Sequence, residues 1–131
     1  MIGFINGCFD VIHIGHVEIL KFAKQNCDYL IVALDTDERI KNSKGDTRPF
    51  NALPDRKKVI ESIRYVDEVR DFSTDDELRE IIKEINPDVM IEGEEYRDKD
   101  IIGSENAKKI LFFRRLDGYS TTKILENSSD R

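Results

Sequence analysis

Apolar residues fall into five short runs, and between most of the runs the apolar positions open out to a helical period. The runs are Phe4-Ile5, stopped by Asn6-Gly7; Tyr29-Leu30-Ile31-Val32-Ala33-Leu34; residues 66–72; Val89-Met90-Ile91; and Ile110-Leu111-Phe112-Phe113. Between them Ile19, Leu20, Ala23 and Cys27, then Val59, Ile60 and Ile63, then Leu78, Ile81, Ile82 and Ile85 each mark one face of a helix. The second run is continuous enough to be buried on both faces, as a central parallel strand is. Local punctuation agrees: Pro54 suits a first helical turn, Ser73-Thr74-Asp75 a cap, and Asn86-Pro87 a stop. Strand–helix alternation of this kind predicts an α/β fold: a single Rossmann-like domain with a five-stranded parallel sheet and helices on both faces.

Two segments depart from the pattern. Residues 39–51 carry Lys41, Lys44, Gly45, Asp46, Arg48 and Pro49 with little apolar periodicity, and read as a basic flap beside the first loop, mobile until an anion binds. Residues 97–109 are polar, with a short helix expected near 104–108. A final helix over 122–126, capped by Ser120 or Thr121, closes a domain spanning 1–126, and 127–131 reads as a frayed tail.

The chain has 131 residues, 37% charged and 39% hydrophobic, with a net charge of −6. That is enough for one core, and its acidity argues against a broad nucleic-acid surface. No run is long enough to span a membrane, and no signal-peptide pattern opens the sequence. Cys8 and Cys27 have no metal-ligand spacing, which points to reduced thiols and a cytoplasmic setting.

The candidate chemistry clusters where the strands end. After the first strand come Gly7, Cys8, Phe9, Asp10 and then His13-Ile14-Gly15-His16, which holds the only two histidines. A helix start at that place offers unpaired N–H groups and a positive dipole end to an anion. Gly15 leaves room for a phosphate, and the histidines, three apart, share a face and can donate to its oxygens. Gly93 to Tyr96, and Arg115 with Ser120 and Thr121, fall on the same sheet edge. Together these describe a clamp for a nucleoside triphosphate. Neither Gly-x-x-x-x-Gly-Lys nor Gly-x-Gly-x-x-Gly is present, and no base is tied to Cys8 by spacing. The chemistry such a site suits is direct attack by a substrate phosphate on the α-phosphorus. Mg²⁺ would come with the triphosphate rather than in a protein cage.

Gly7-Cys8-Phe9-Asp10-Val11-Ile12-His13-Ile14-Gly15-His16 resembles the signature of the cytidylyltransferase-like nucleotidyltransferases, and the likeness runs from Phe4 to Leu125. Lys44-Gly45-Asp46-Thr47-Arg48-Pro49, residues 51–56, Ile102-Gly103-Ser104-Glu105 and Ser120-Thr121-Thr122-Lys123-Ile124 are similar to the adenylyltransferase domain of bacterial ADP-heptose synthesis. Residues 61–69 are closer to glycerol-3-phosphate cytidylyltransferase. The resemblance implies that His13, His16, Lys44 and Arg115 act on the phosphates and nucleotide, and that Ser120 and Thr121 bind the nucleotide at the helix start. It also implies that Gly93 and Glu95 border the nucleoside, that Asp10 and Asp37 line the acceptor side, and that the protein is a homodimer. Expected partners are ATP, with CTP as the alternative, and a sugar or polyol phosphate. Heptose-type enzymes usually carry lysine where this chain has Glu92, and often a fused sugar kinase. His13-Ile14-Gly15-His16 also matches class I aminoacyl-tRNA synthetases, but the chain is short and acidic for tRNA. A regulatory nucleotide binder that has lost catalysis is the alternative of a different class.

Overall fold

Each apolar run forms a strand. A computed structural model of the protein describes residues 1–114. Its strands β1 (Ile2–Gly7), β2 (Tyr29–Asp35), β3 (Glu68–Phe72), β4 (Val89–Gly93) and β5 (Lys109–Phe113) form one sheet in the order β3-β2-β1-β4-β5. All four adjacent pairs are parallel. Successive residues of a strand face opposite sides, and the core divides accordingly. Leu30, Val32, Leu34, Ile5, Val89 and Ile91 pack on one face with Leu20 and Ala23 of α1 (Ile14–Gln25) and Ile60 of α3 (Leu53–Glu61). On the other face Ile31, Ala33, Phe4, Phe72 and Met90 meet Leu78 and Ile82 of α4 (Asp75–Ile85).

Helix ends follow their local chemistry. Thr74 caps α4, and Glu77 reaches back to complete a capping box. Asn86 ends that helix in the left-handed region at φ 47°. Pro54 lies in the first turn of α3.

The expected flap over 39–51 needs correction, because its first half is helix α2 (Asp37–Lys44). Only Ile40 is buried in this helix, so there was no apolar stripe to betray it. Its ends specify it instead. Thr36 caps it, Asp37 and Glu38 sit at the positive end of the dipole, and Lys41 and Lys44 at the negative end. Gly45 stops it at φ 95°, where a side chain would be strained. The helix expected near 104–108 is one 3-10 turn (Ser104–Asn106), and a second, unanticipated 3-10 turn (Glu94–Tyr96) follows β4.

Strand order reverses beside β1: the chain runs outward through β2 and β3, then returns to β4 and β5 on the other side. In open parallel sheets the ligand crevice lies at such a switch point, at the carboxyl ends of the strands. Here that places it between Gly7 of β1 and Gly93 of β4. Among the described residues, no helix is long and apolar enough to cross a membrane.

Candidate active site

The two histidines build the start of α1 out of their own rings. His13 is the N-cap residue, and its Nδ1 accepts the backbone N–H of Gly15 at 3.0 Å. His16, at the third position of the helix, reaches back so that its Nδ1 accepts the N–H of His13 at 3.2 Å. This is a capping box made of imidazoles, in place of the usual hydroxyl and carboxylate. It fixes the tautomer: a ring nitrogen that accepts a backbone N–H carries no proton, so in each neutral ring the proton sits on Nε2 as a donor. The rings lie 3.9 Å apart, centroid to centroid, and Phe9 packs 5.3 Å from His16. Phe9 adopts φ 48°, uncommon for a bulky residue and typical of loops held by their surroundings. Gly7 permits this, since a Cβ there would lie 3.0 Å from the Phe9 ring.

Two adjoining clefts open at the switch point. The first, about 170 Å³, is lined by Gly7, Cys8, Phe9, His13, Gly15 and His16 from the β1–α1 side and by Glu92, Gly93, Glu95 and Phe113 from β4, the 3-10 turn after it and β5. Apolar Ile5, Ile19 and Ile91 form part of its wall. The second, about 550 Å³, shares Gly7, Cys8, Phe9, His16 and Glu92, and adds Asp10, Arg39, Lys44, Leu78 and Ile102 among others. The structure thus brings together His13, His16, Lys44, Gly7, Cys8, Phe9, Gly15, Gly93, Glu95 and Asp10. Arg115, Ser120 and Thr121, with the final helix and the tail, lie outside the described residues.

Asp37 does not join them. It lines neither cleft, and its Oδ1 accepts the N–H of Leu53 at 3.0 Å and Nη2 of Arg56 at 2.6 Å. Its Oδ1 thus ties the start of α3 and Arg56 to α2, while the side chain stays 38% exposed. Asp10 borders the second cleft, yet its carboxylate is occupied too: Oδ1 and Oδ2 accept the N–H groups of Asn51 and Phe50, both at 2.8 Å. It anchors the loop after α2 to the loop after β1. In Asp10→Ala we expect the Phe50 and Asn51 amides to lose their slow hydrogen exchange while β2 amides keep theirs; unchanged protection would rule out the anchor.

Arg56 is the residue the sequence did not flag. It is buried, with 1% exposure, and donates to the carbonyls of Asn51, Cys8 and Asp35 as well as to Asp37. One guanidinium thereby ties the loop after β1 to the end of β2, to α2 and to the loop before α3. A lone Arg on a helix reads as surface; only the fold shows that three carbonyls converge on it.

The charge pattern is uneven. Burial pushes the Cys8 thiol up, with Asp35 adding to the effect and Lys44 opposing it, so Cys8 is a protonated lining group and not a nucleophile. Burial also raises Asp35, against Arg39 and Lys44. Glu92 stands out: burial first, then the charge of Glu95, push its carboxyl from 4.5 to about 7. The native state therefore holds this proton more tightly than the unfolded chain, and stability falls as pH rises from 4.5 to about 7. At about 1.4 kcal/mol per unit, the charged form costs up to about 3 kcal/mol. Glu92→Gln should accordingly raise Tm relative to the parent at pH 8 and lose most of that advantage at pH 5. An advantage independent of pH would show that the carboxyl is not held this way.

Comparison with known proteins agrees with the geometry. The family model described as "Cytidylyltransferase-like" matches residues 4–130. The chain is 42% identical over 124 residues to the bifunctional protein HldE of Helicobacter hepaticus, covering 95% of this chain and 26% of that protein. It is 40% identical over 122 residues to HldE of Campylobacter fetus, covering 93% and 26%. It therefore spans about a quarter of the length of these relatives. Among solved structures, a lipopolysaccharide core biosynthesis protein from Thermoplasma volcanium superposes with a TM-score of 0.70, at 23% identity, over 92% of this chain and 98% of that one. That likeness concerns the fold. With the histidine-capped loop at the switch point and a family match over nearly its whole length, the chain belongs to the cytidylyltransferase-like family of nucleotidyltransferases.

Proposed function

We propose that the protein transfers a nucleoside monophosphate from a nucleoside triphosphate, ATP in preference, to a sugar or polyol phosphate such as heptose 1-phosphate, releasing pyrophosphate. The observation that carries this reading is the imidazole capping box. It leaves Nε2 as the protonated nitrogen of each neutral ring, on a helix N-terminus, with both histidines lining a cleft bordered by the turn after β1. The acceptor phosphate oxygen attacks the α-phosphorus in line, the bond to the β-phosphate oxygen breaks, and pyrophosphate departs with the electron pair. His13 and His16 donate to the oxygens on which negative charge grows, and the helix dipole acts in the same sense. Lys44, among the residues that line the second cleft, adds charge to hold phosphate. Arg115, Ser120 and Thr121 complete the nucleotide side, Gly93 and Glu95 border the nucleoside, and the acceptor takes the second cleft.

Among the described residues no group of three His, Cys, Asp or Glu could hold a metal. Mg²⁺ enters with the triphosphate as part of the substrate, neutralising its charge. The preference for ATP and a sugar phosphate rests on the resemblance of residues 44–49 and 102–105 to the adenylyltransferase domain of ADP-heptose synthesis. The likeness of residues 61–69 to glycerol-3-phosphate cytidylyltransferase supports CTP with glycerol 3-phosphate as the second reading. The test is pyrophosphate release from four triphosphates against heptose 1-phosphate, mannose 1-phosphate and glycerol 3-phosphate. Highest kcat/KM with ATP and a sugar 1-phosphate supports the first reading, and a clear advantage for CTP with glycerol 3-phosphate the second. Nucleotide binding without any pyrophosphate release would leave a non-catalytic binder and overturn both.

A further inference from the structure

We propose that Glu92 selects the acceptor, by hydrogen bonding a hydroxyl group that the acceptor carries beside its phosphate; this rests on the transfer reading above. The placement comes from strand geometry. Glu92 follows Met90 by two on β4 and so faces the same side, toward Leu78 and Ile102 of the second cleft, while also bordering the first. It thus stands where the two clefts meet, which is where the acceptor must approach the nucleotide.

Nothing in the described part of the protein satisfies this carboxyl. Among the described residues it makes no hydrogen bond or ion pair, and the only charged group acting on it is another carboxylate, Glu95. The cations lining the second cleft are directed elsewhere: Arg39 pairs with Asp35 and Asp75, and Lys44 acts on Cys8 and Asp35. A half-buried carboxyl without a partner carries a standing cost that a ligand group can remove.

The chemistry of that ligand group can be narrowed. A phosphate oxygen facing Glu92 would be repelled by its charged form, by several kcal/mol at close range in a partly buried site. A divalent cation lacks the further ligands it would need among the described residues. An ammonium would suit only the ionised carboxylate, yet burial and Glu95 keep both forms populated near neutrality. A hydroxyl fits either form, donating to the carboxylate or accepting from the carboxylic acid. Sugar and polyol phosphates carry such hydroxyls next to the phosphoester carbon.

The test titrates the full chain, with a non-hydrolysable ATP analogue bound, with mannose 1-phosphate, glycerol 3-phosphate and propyl phosphate, the last lacking hydroxyls. The parent should bind at least one hydroxylated phosphate about 10- to 100-fold more tightly than propyl phosphate. In Glu92→Met that preference should fall by about tenfold or more, whatever the affinity for the ATP analogue, which is measured separately and kept saturating, and Glu92→Gln, which keeps one acceptor and one donor, should lie between. An equal preference in parent and Glu92→Met overturns the proposal, as does a parent that ignores the hydroxyls or binds none of the three. The same mixtures with ATP separate the two readings. Hydroxyl-dependent binding without pyrophosphate release supports the role of Glu92 while contradicting transfer. Pyrophosphate release that is indifferent to both hydroxyl and Glu92 keeps transfer and overturns the selection.

Discussion

His16→Ala should lower kcat by about 10²–10³ while leaving the dissociation constant of the triphosphate within a few-fold of the parent. The reason is differential: a donor aimed at oxygens that gain charge only as the bond to the β-phosphate breaks stabilises the transition state more than the ground state. Alanine also removes the acceptor for the His13 N–H, and with it half of the capping box, so a loss of about 1 kcal/mol in stability accompanies the kinetic effect. His16→Glu separates the two. Glutamate is an ordinary third residue of a capping box and should restore Tm, yet an ionised carboxylate has no proton to donate and should leave kcat low. If the alanine variant turned over near the parental rate at saturating substrates, the histidine pair would be a structural cap and no more.

Arg56→Leu is expected to have the largest effect on stability, about 3–5 kcal/mol, because three partly buried carbonyls lose their donor at about 1–3 kcal/mol each. The leucine would leave the carbonyls of Cys8, Asp35 and Asn51 without their donor and Asp37 without its cation. For a domain of this size that corresponds to a fall of roughly 10–20 °C in Tm. Arg56→Lys should recover little of it, because a single nitrogen cannot reach the four acceptors that the guanidinium serves from three nitrogens spread over its plane. Thermal unfolding of the two variants checks this; a loss below about 1 kcal/mol in Arg56→Leu would mean that the four bonds are replaced by water at no cost.

Legibility in the sequence followed the physical source of each element. The strands were readable because burial on both faces forces continuous apolar runs, as in residues 29–34, and α4 because its Leu78-Ile82 stripe is strongly periodic. Helix α2 was missed because it buries Ile40 alone and is specified by its caps and end charges, which a search for periodicity passes over. Within the site, the histidine loop was legible because its residues act locally, at the start of one helix. Asp37 and Arg56 were not, since their partners lie 16 and 19 or more residues apart in the pairs Asp37–Leu53 and Arg56–Asp37, and up to 48 apart in Arg56–Cys8. A sequence displays a charge but not the carbonyls that will surround it. For the same reason Glu92 was visible as a departure from the heptose-type pattern, while its position between two clefts was not.

The central claim is that the α-phosphorus, and no other, is attacked by an acceptor phosphate. ATP labelled on its α-phosphate, incubated with a sugar 1-phosphate and Mg²⁺, tests it directly. Attack at the α-phosphorus puts the label into an ADP-sugar and releases unlabelled pyrophosphate in equal amount. Label recovered in ADP, with the γ-phosphate moved to the sugar, or label remaining in ATP under conditions where the nucleotide is bound, would contradict it.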